Sequence, residues 1–224
     1  MSNSRYLGLV EFFEPLRLQE QIWQKVVAMG PQEGVILGFE TKPVLTLGAR
    51  ASDEDLLISE SEWRRWGYDI VRVDRGGQAT LHNPGQLVIF PVLHMESDGV
   101  KQFTQRLIST TRTLLEKQGL TTVWDEHSPG LYADSGKVVS MGLRVRAHVA
   151  THGLAINVHN DLSAFNGIRV CGVKRAAMAK LNTSLSLAQL FAQWIEIWNS
   201  PTREKVDKPE NLDEFIENQA DVRL

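Results

Sequence analysis

The chain has 224 residues, 42% of them hydrophobic and 23% charged, with a formal net charge of −3. Those proportions belong to a soluble globular protein and exclude a disordered or collagen-like chain; the slight acidic balance excludes a general basic field for nucleic acid. The longest apolar run, residues 87–93, is far too short to span a bilayer.

Residues 6–12 read as a first strand. Residues 15–29 read as a helix, with Pro15 at its first position and Leu18, Ile22, Val26 and Met29 at helical spacing. Gly30-Pro31 breaks it. Two short strands follow at 35–39 and 43–47. Ser59 caps a brief helix over 59–66, with Glu62 in capping-box position. Residues 68–73 read as a strand, Asp74 to Gly77 as a turn, and 86–93 as a buried strand. The clearest helix is 100–118, with Phe103, Leu107, Leu114 and Leu115 on its apolar face and Gly119 as its stop. A strand starts at 121–124, and 137–158, rich in Val, Ile, Leu and Thr, reads as two or three paired strands. Residues 185–198 form an amphipathic helix with Leu187, Leu190, Phe191, Trp194, Ile195 and Trp198 on one face. From Asn199 onward there are 4 Lys+Arg against 7 Asp+Glu, so the acidic excess lies in this tail and the rest is formally neutral. Interleaved helices and strands predict an α/β or α+β domain over 1–198 with an acidic appendage at 199–224.

The one cysteine, Cys171, sits in a polar, glycine-flanked stretch. It cannot form an internal disulfide; it is either an inert small hydrophobe or a nucleophile. A lone thiol and a polar N-terminus without a signal-peptide core point to the cytoplasm. Three glycines and a proline fall within residues 75–86, which suits a loop whose backbone approaches a ligand, with Arg75 offering a fork of donors. No Gly-Lys-Ser/Thr follows, and no G-x-G-x-x-G opens a helix, so neither phosphate-loop pattern is present. Lys137 begins an otherwise apolar run: it is either an edge lysine that discourages aggregation or an ammonium aimed into a cleft beside a thiol. Thr151-His152-Gly153-Leu154-Ala155 is either a plain hairpin strand or bare backbone for a ligand to lie against. None of the six histidines forms an H-E-x-x-H pair, so no metal is indicated. Lys174, Arg175 and Lys180 make a small basic patch after the cysteine, either a solvated face or a dock for an acidic partner.

In this order, the stretches resemble the octanoyltransferase family of lipoic acid synthesis. Residues 75–87, RGGQATLHNPGQL, are similar to the family's R-G-G-Q-x-T-aromatic-H-G-P-G-Q-L. Lys137 with Ser140-Met141-Gly142, the strand Ala150 to Asn157, and Asn160-Asp161-Leu162, Phe165 and Ile168 to Gly172 match its later motifs. The resemblance covers residues 5–198. Leu81 stands for an aromatic residue, Asn83 for glycine and Val170 for proline; the first two bear on the shape of an acyl pocket and the third on the cysteine turn.

The resemblance implies the fold of biotin and lipoate protein ligase catalytic domains, a mixed sheet with helices around it. It implies that Cys171 attacks an octanoyl thioester, becomes acylated and passes the acyl group to a lysine, while Lys137 favours the thiolate and serves as acid and base. Arg75, Gly76, Gly77, Gln78, Ala79, Thr80, Leu81 and His82 would line the acyl pocket with Ser140, Met141, Gly142, Gly153, Leu154 and Ala155. Octanoyl-acyl carrier protein would be the donor. The acceptors would be lipoyl domains of 2-oxoacid dehydrogenase E2 subunits and the glycine cleavage H protein. No cofactor, metal, nucleic acid or membrane enters the scheme. Two alternatives share the motifs: an ATP-dependent lipoate or octanoate ligase, which needs Lys137 and the Arg-Gly-Gly loop but no cysteine, and a non-catalytic binder of lipoyl domains or acyl carrier.

Overall fold

A computed structural model describes residues 2–95, 99–170, 172–174 and 176–200. In chain order they form β1 (Asn3–Val10), α1 (Phe13–Met29), β2 (Val35–Thr41), β3 (Val44–Leu47), α2 (Glu60–Arg65), β4 (Asp69–Arg72), β5 (Ala79–His82), β6 (Gln86–His94), α3 (Gly99–Lys117), β7 (Val123–Asp125), β8 (Gly130–Ala133), β9 (Gly136–Arg146), β10 (Val149–Asn157), β11 (Arg169–Val170), β12 (Val173–Lys174) and α4 (Leu187–Asn199). A seven-stranded mixed sheet runs β1-β2-β6-β10-β9-β8-β7, and a three-stranded sheet runs β4-β3-β5. Only β1–β2 in the large sheet and β3–β4 in the small one are parallel pairs.

The centre of the large sheet is buried on both faces, which is why β6 reads as an unbroken apolar run rather than an alternating one. Leu87 and Ile89 point to one face, where α3 and α4 pack with Leu107, Leu114, Leu190 and Trp194. Trp194 Nε1 donates to Thr111 Oγ1 at 3.0 Å, so its polar edge is satisfied inside that core. Val88 and Phe90 point to the other face, against Phe12, Phe39 and the small sheet's Val44 and Val71. The space between the two sheets is where the candidate site lies.

Local signals held where the chain solves its own hydrogen-bonding problem. Ser59 and Glu62 form the expected reciprocal capping box on α2. Ser186 and Gln189 form another on α4. Residues 137–158 are two long antiparallel strands, β9 and β10. Three readings shift. Helix α1 begins at Phe13, so Pro15 occupies its third position, where the missing N–H would have had no intrahelical partner anyway. Met29, counted in the helix's apolar stripe, is exposed, whereas the polar Gln19 is buried against β10. Residues 79–82 are a strand inside the glycine-rich stretch, and β8 had no recognised signal. The acidic tail from Pro201 onward lies outside the described residues. No helix among the described residues is long and apolar enough to cross a membrane.

Candidate active site

Lys137 is not an edge residue. It opens β9, which has β10 on one side and β8 on the other. Its backbone N–H donates to Ala177 O at 2.8 Å, and its carbonyl accepts from Ala179 N at 2.9 Å. Its side chain is 1% exposed. The stem passes Gly130, where a Cβ would stand 2.5 Å from Lys137 Cε. The ammonium donates to the carbonyl of Ser128 at 3.1 Å and to its hydroxyl at 3.3 Å, over the Tyr132 ring at 5.4 Å. Ser128 is itself fixed. Asp125 Oδ1 accepts from the backbone N–H of His127 and of Ser128, forming an Asx-type turn, and Tyr132 OH bonds Ser128. A wholly buried ammonium costs several kcal/mol in desolvation, so its retention marks a functional site more readily than a structural one.

Lys137 lines a cavity of about 290 Å³ between the two sheets. This is near the lower end of small-molecule sites, roughly 300–1,000 Å³. Of the residues predicted to line an acyl pocket, Arg75, Gly77, Gln78, Ala79, Thr80 and His82 reach it from the small-sheet side. Ser140, Met141, Gly142, Gly153, Leu154 and Ala155 reach it from β9 and β10. Gly76 and Leu81 do not line it. Gly76 donates its N–H to Leu143 O, and Leu81 is buried among Leu45, Trp63 and Phe165. Asn83 is also away from the cavity: its amide bridges Tyr68 OH and Asp161 O. The departures at 81 and 83 therefore repack the small-sheet core and a loop, not the cavity wall.

Arg75 acts as a clamp. It is 9% exposed, and its guanidinium donates to Thr46 O at 2.9 Å, Thr46 Oγ1 at 2.8 Å and Gly76 O at 3.0 Å. The loop it holds lies so close to β9 that a Cβ on Gly142 would meet Gly76 O at 2.8 Å. Gly153 is equally constrained, because its Cβ would run into Ile89 O and meet Pro91 Cδ at 2.7 Å. Gly153→Ala is expected to cost about 2 kcal/mol through overpacking, lowering Tm by roughly 5 °C; calorimetry reads it directly, and an unchanged Tm would refute the close packing.

His152 sits opposite Pro91 in the β10–β6 register, where proline offers no ladder N–H, and it takes φ +56°. Its backbone N–H turns to Gln19 Oε1 at 2.6 Å, and its Nε2 bonds Asp74 Oδ1 at 2.7 Å. Burial, and then Arg75, Arg144 and Arg146, push its pKa down to about 3. Asp74, which faces this ring, is half exposed and also pairs with Arg144. His82 is likewise lowered, to about 4, by burial first, while its hydrogen bond to Gln86 pulls the other way. Both imidazoles are neutral at working pH.

Cys171 and Arg175 lie outside the described residues. Val170, directly before the cysteine in sequence, is buried and lines the same cavity as Lys137. β11 and β12 pair antiparallel with Val170 opposite Val173, and Gly172 has φ +78°. Sequence reasoning missed Phe12, Val88 and Phe90 as cavity residues. The alternate positions 88 and 90 on a strand carried that signal, but a run apolar on both faces hides its period. Among the described residues no group of metal-ligating side chains gathers.

Residues 11–197 match the family model of the lipoyl protein ligase A/B catalytic domain. The chain is 34% identical over 178 residues to an octanoyltransferase of Maridesulfovibrio salexigens, covering 79% of this chain and 83% of that protein. It is 36% identical over 184 residues to an octanoyltransferase of Pseudomonas fluorescens, covering 78% and 83%. Among solved structures, lipoate-protein ligase A bound with ATP superposes with a TM-score of 0.74 at 15% identity, covering 88% of this chain and 83% of that one. The bipartite lipoate protein ligase of Thermoplasma acidophilum does so with a TM-score of 0.65 at 14% identity, covering 88% and 83%. At such identities the structural likeness is one of fold.

Proposed function

The chain belongs to the lipoyl protein ligase A/B catalytic-domain family, and on that premise we propose that it transfers an octanoyl group to the target lysine of lipoyl domains through an acyl thioester on Cys171. It is an acyltransferase of lipoate biosynthesis, and its protein substrates carry lipoyl domains. The donor is octanoyl-acyl carrier protein, and the acceptors are the E2 subunits of 2-oxoacid dehydrogenases and the glycine cleavage H protein. The reaction runs in the cytoplasm, where a lone thiol stays reduced.

The observation that carries this reading is the buried ammonium of Lys137 on the wall of a mixed polar and apolar cavity that Val170 also lines. A cation there stabilises a thiolate beside it and can return a proton to a leaving thiol. In the first half-reaction the Cys171 thiolate attacks the thioester carbonyl; a new C–S bond forms, the old one breaks, and the carrier's thiolate takes a proton from Lys137. In the second, the lipoyl-domain amine forms the C–N bond, the Cys171 C–S bond breaks, and the proton shed by the amine restores the cysteine–lysine pair. Seven carbons beyond the carbonyl, buried at about 0.8 kcal/mol each, supply roughly 5 kcal/mol for reading the chain.

The test is intact mass after mixing with octanoyl-acyl carrier protein. An octanoyl adduct on the wild type that is absent from Cys171→Ala is expected. Turnover by Cys171→Ala, or activity only with free octanoate plus ATP, would replace this reading with a ligase mechanism.

A further inference from the structure

A chain of buried amides fixes which nitrogen of His82 carries hydrogen. It begins at Asn157, 2% exposed, whose Nδ2 donates to the carbonyls of Ala179 at 3.1 Å and of Lys137 at 3.4 Å. Backbone carbonyls only accept, so the Oδ1 of Asn157 faces the other way. There it accepts from Gln86 Nε2 at 2.9 Å and from Asn160 Nδ2 at 3.2 Å. Gln86 Nε2 also donates to Leu81 O at 3.3 Å. With its nitrogen committed, Gln86 presents Oε1 to His82 Nδ1 at 2.7 Å. An amide oxygen only accepts, so Nδ1 carries the hydrogen and the neutral ring keeps a bare lone pair on Nε2.

His82 is 6% exposed, stacks on Phe12 at 5.6 Å, and lines the cavity. Its hydrogen bonding within the described residues ends at Gln86. The amide chain that sets its tautomer is anchored on the carbonyl of Lys137 itself, so the lone pair and the ammonium belong to the same end of the sheets. An unprotonated acceptor that lines the same cavity as a buried cation has no use for an acyl chain. It suits a donor that arrives later.

We propose that His82 Nε2 accepts an N–H of the attacking lipoyl-domain lysine and so aims the amine lone pair at the acyl-enzyme carbonyl. This rests on the acyl-thioester reading above. A neutral amine has two N–H groups and one lone pair, and a cavity already lined by the buried cations Arg75 and Lys137 favours that neutral form over the ammonium. Binding one N–H leaves the lone pair pointed elsewhere in a restricted set of directions, which converts a loose encounter into a near-attack geometry. His82 gains no proton over the cycle: the C–N bond forms, the Cys171 C–S bond breaks, and the amine's proton returns to the cysteine–lysine pair.

The two halves of the reaction separate the roles. His82→Asn keeps a donor where Nδ1 stood and lacks the cavity acceptor; His82→Gln carries an amide oxygen near the Nε2 position. With octanoyl-enzyme formed in advance, His82→Asn should slow transfer to a lipoyl domain roughly 10²-fold, at least about tenfold more than it slows acyl-enzyme formation from octanoyl-acyl carrier protein, and be largely rescued in His82→Gln. Nitrogen-15 spectra of the histidine-labelled wild type should show His82 protonated at Nδ1. Equal slowing of both halves, no slowing in His82→Asn, no rescue in His82→Gln, or a proton on Nε2 would each overturn the assignment. Failure of the wild type to form an acyl-enzyme is a different result: it removes the acyl-thioester reading, and this role with it.

Discussion

Lys137→Met is expected to cut octanoyl transfer by on the order of 10³-fold while leaving the protein at least as hard to unfold. The two effects have opposite physical origins. Methionine preserves an unbranched stem through the space beside Gly130 and Tyr132, so packing is largely retained. The substitution removes a charge that is 1% exposed in the middle of a seven-stranded sheet, and with it a desolvation penalty. Ser128 loses a donor but keeps its bond from Tyr132. On the proposed mechanism, what disappears is the cation that favours a thiolate and supplies the leaving group's proton. Single-turnover acylation and a urea unfolding midpoint measure the two sides. A midpoint well below wild type would mean that the ammonium is a structural tie for the 126–129 turn, and the catalytic argument would lose its basis.

Acid should unfold the protein well above the range where its carboxylates titrate. An unfolded histidine titrates near 6.5; folded His82 stays neutral until about 4 and folded His152 until about 3. Both folded values lie below the unfolded one, so between pH 6.5 and those values the unfolded chain binds protons that the folded chain refuses. Their contribution is therefore present in full above about pH 6.5, falls progressively as the pH drops below that, and is gone once the pH has passed about 4 for His82 and about 3 for His152. Together the two groups are worth several kcal/mol, comparable with the whole margin of a typical domain. Urea midpoints at about pH 7.5 and pH 5 should differ strongly, and His152→Asn should flatten that dependence even if its absolute stability is lower. A pH profile as steep in His152→Asn as in the wild type would show that His152 titrates normally in the folded state.

Much of the chemistry was readable without coordinates, because it rests on residue type and order. A lone thiol, a lysine at the start of an apolar run and a glycine-bearing strand made Cys171, Lys137, Gly142 and Gly153 candidates, and their order carried the family resemblance. The capping box of α2 and the stop at Gly119 were also legible, since each is decided within a few residues. Strand β5 was not: its glycine-rich surroundings argue for a loop, and only pairing with β3 makes it a strand. Local propensity yields there to a partner more than thirty residues away in sequence.

Amino-acid order alone determined the family, the mixed α/β class and most of the cavity's lining, because those depend on which groups the chain carries and how they are spaced. Tertiary structure decided where those groups sit and what they touch. It turned Lys137 from a possible edge residue into a buried cation held by Ser128, since strand order is set by long-range pairing that no local pattern encodes. It moved Leu81 away from the cavity, since adjacent residues on a strand face opposite ways, and tied Asn83, just past the end of β5, to Tyr68 and Asp161. It fixed the lone pair of His82, since a tautomer depends on hydrogen bonds that reach through Gln86 and Asn157, seventy-one residues apart, to the backbone of Lys137.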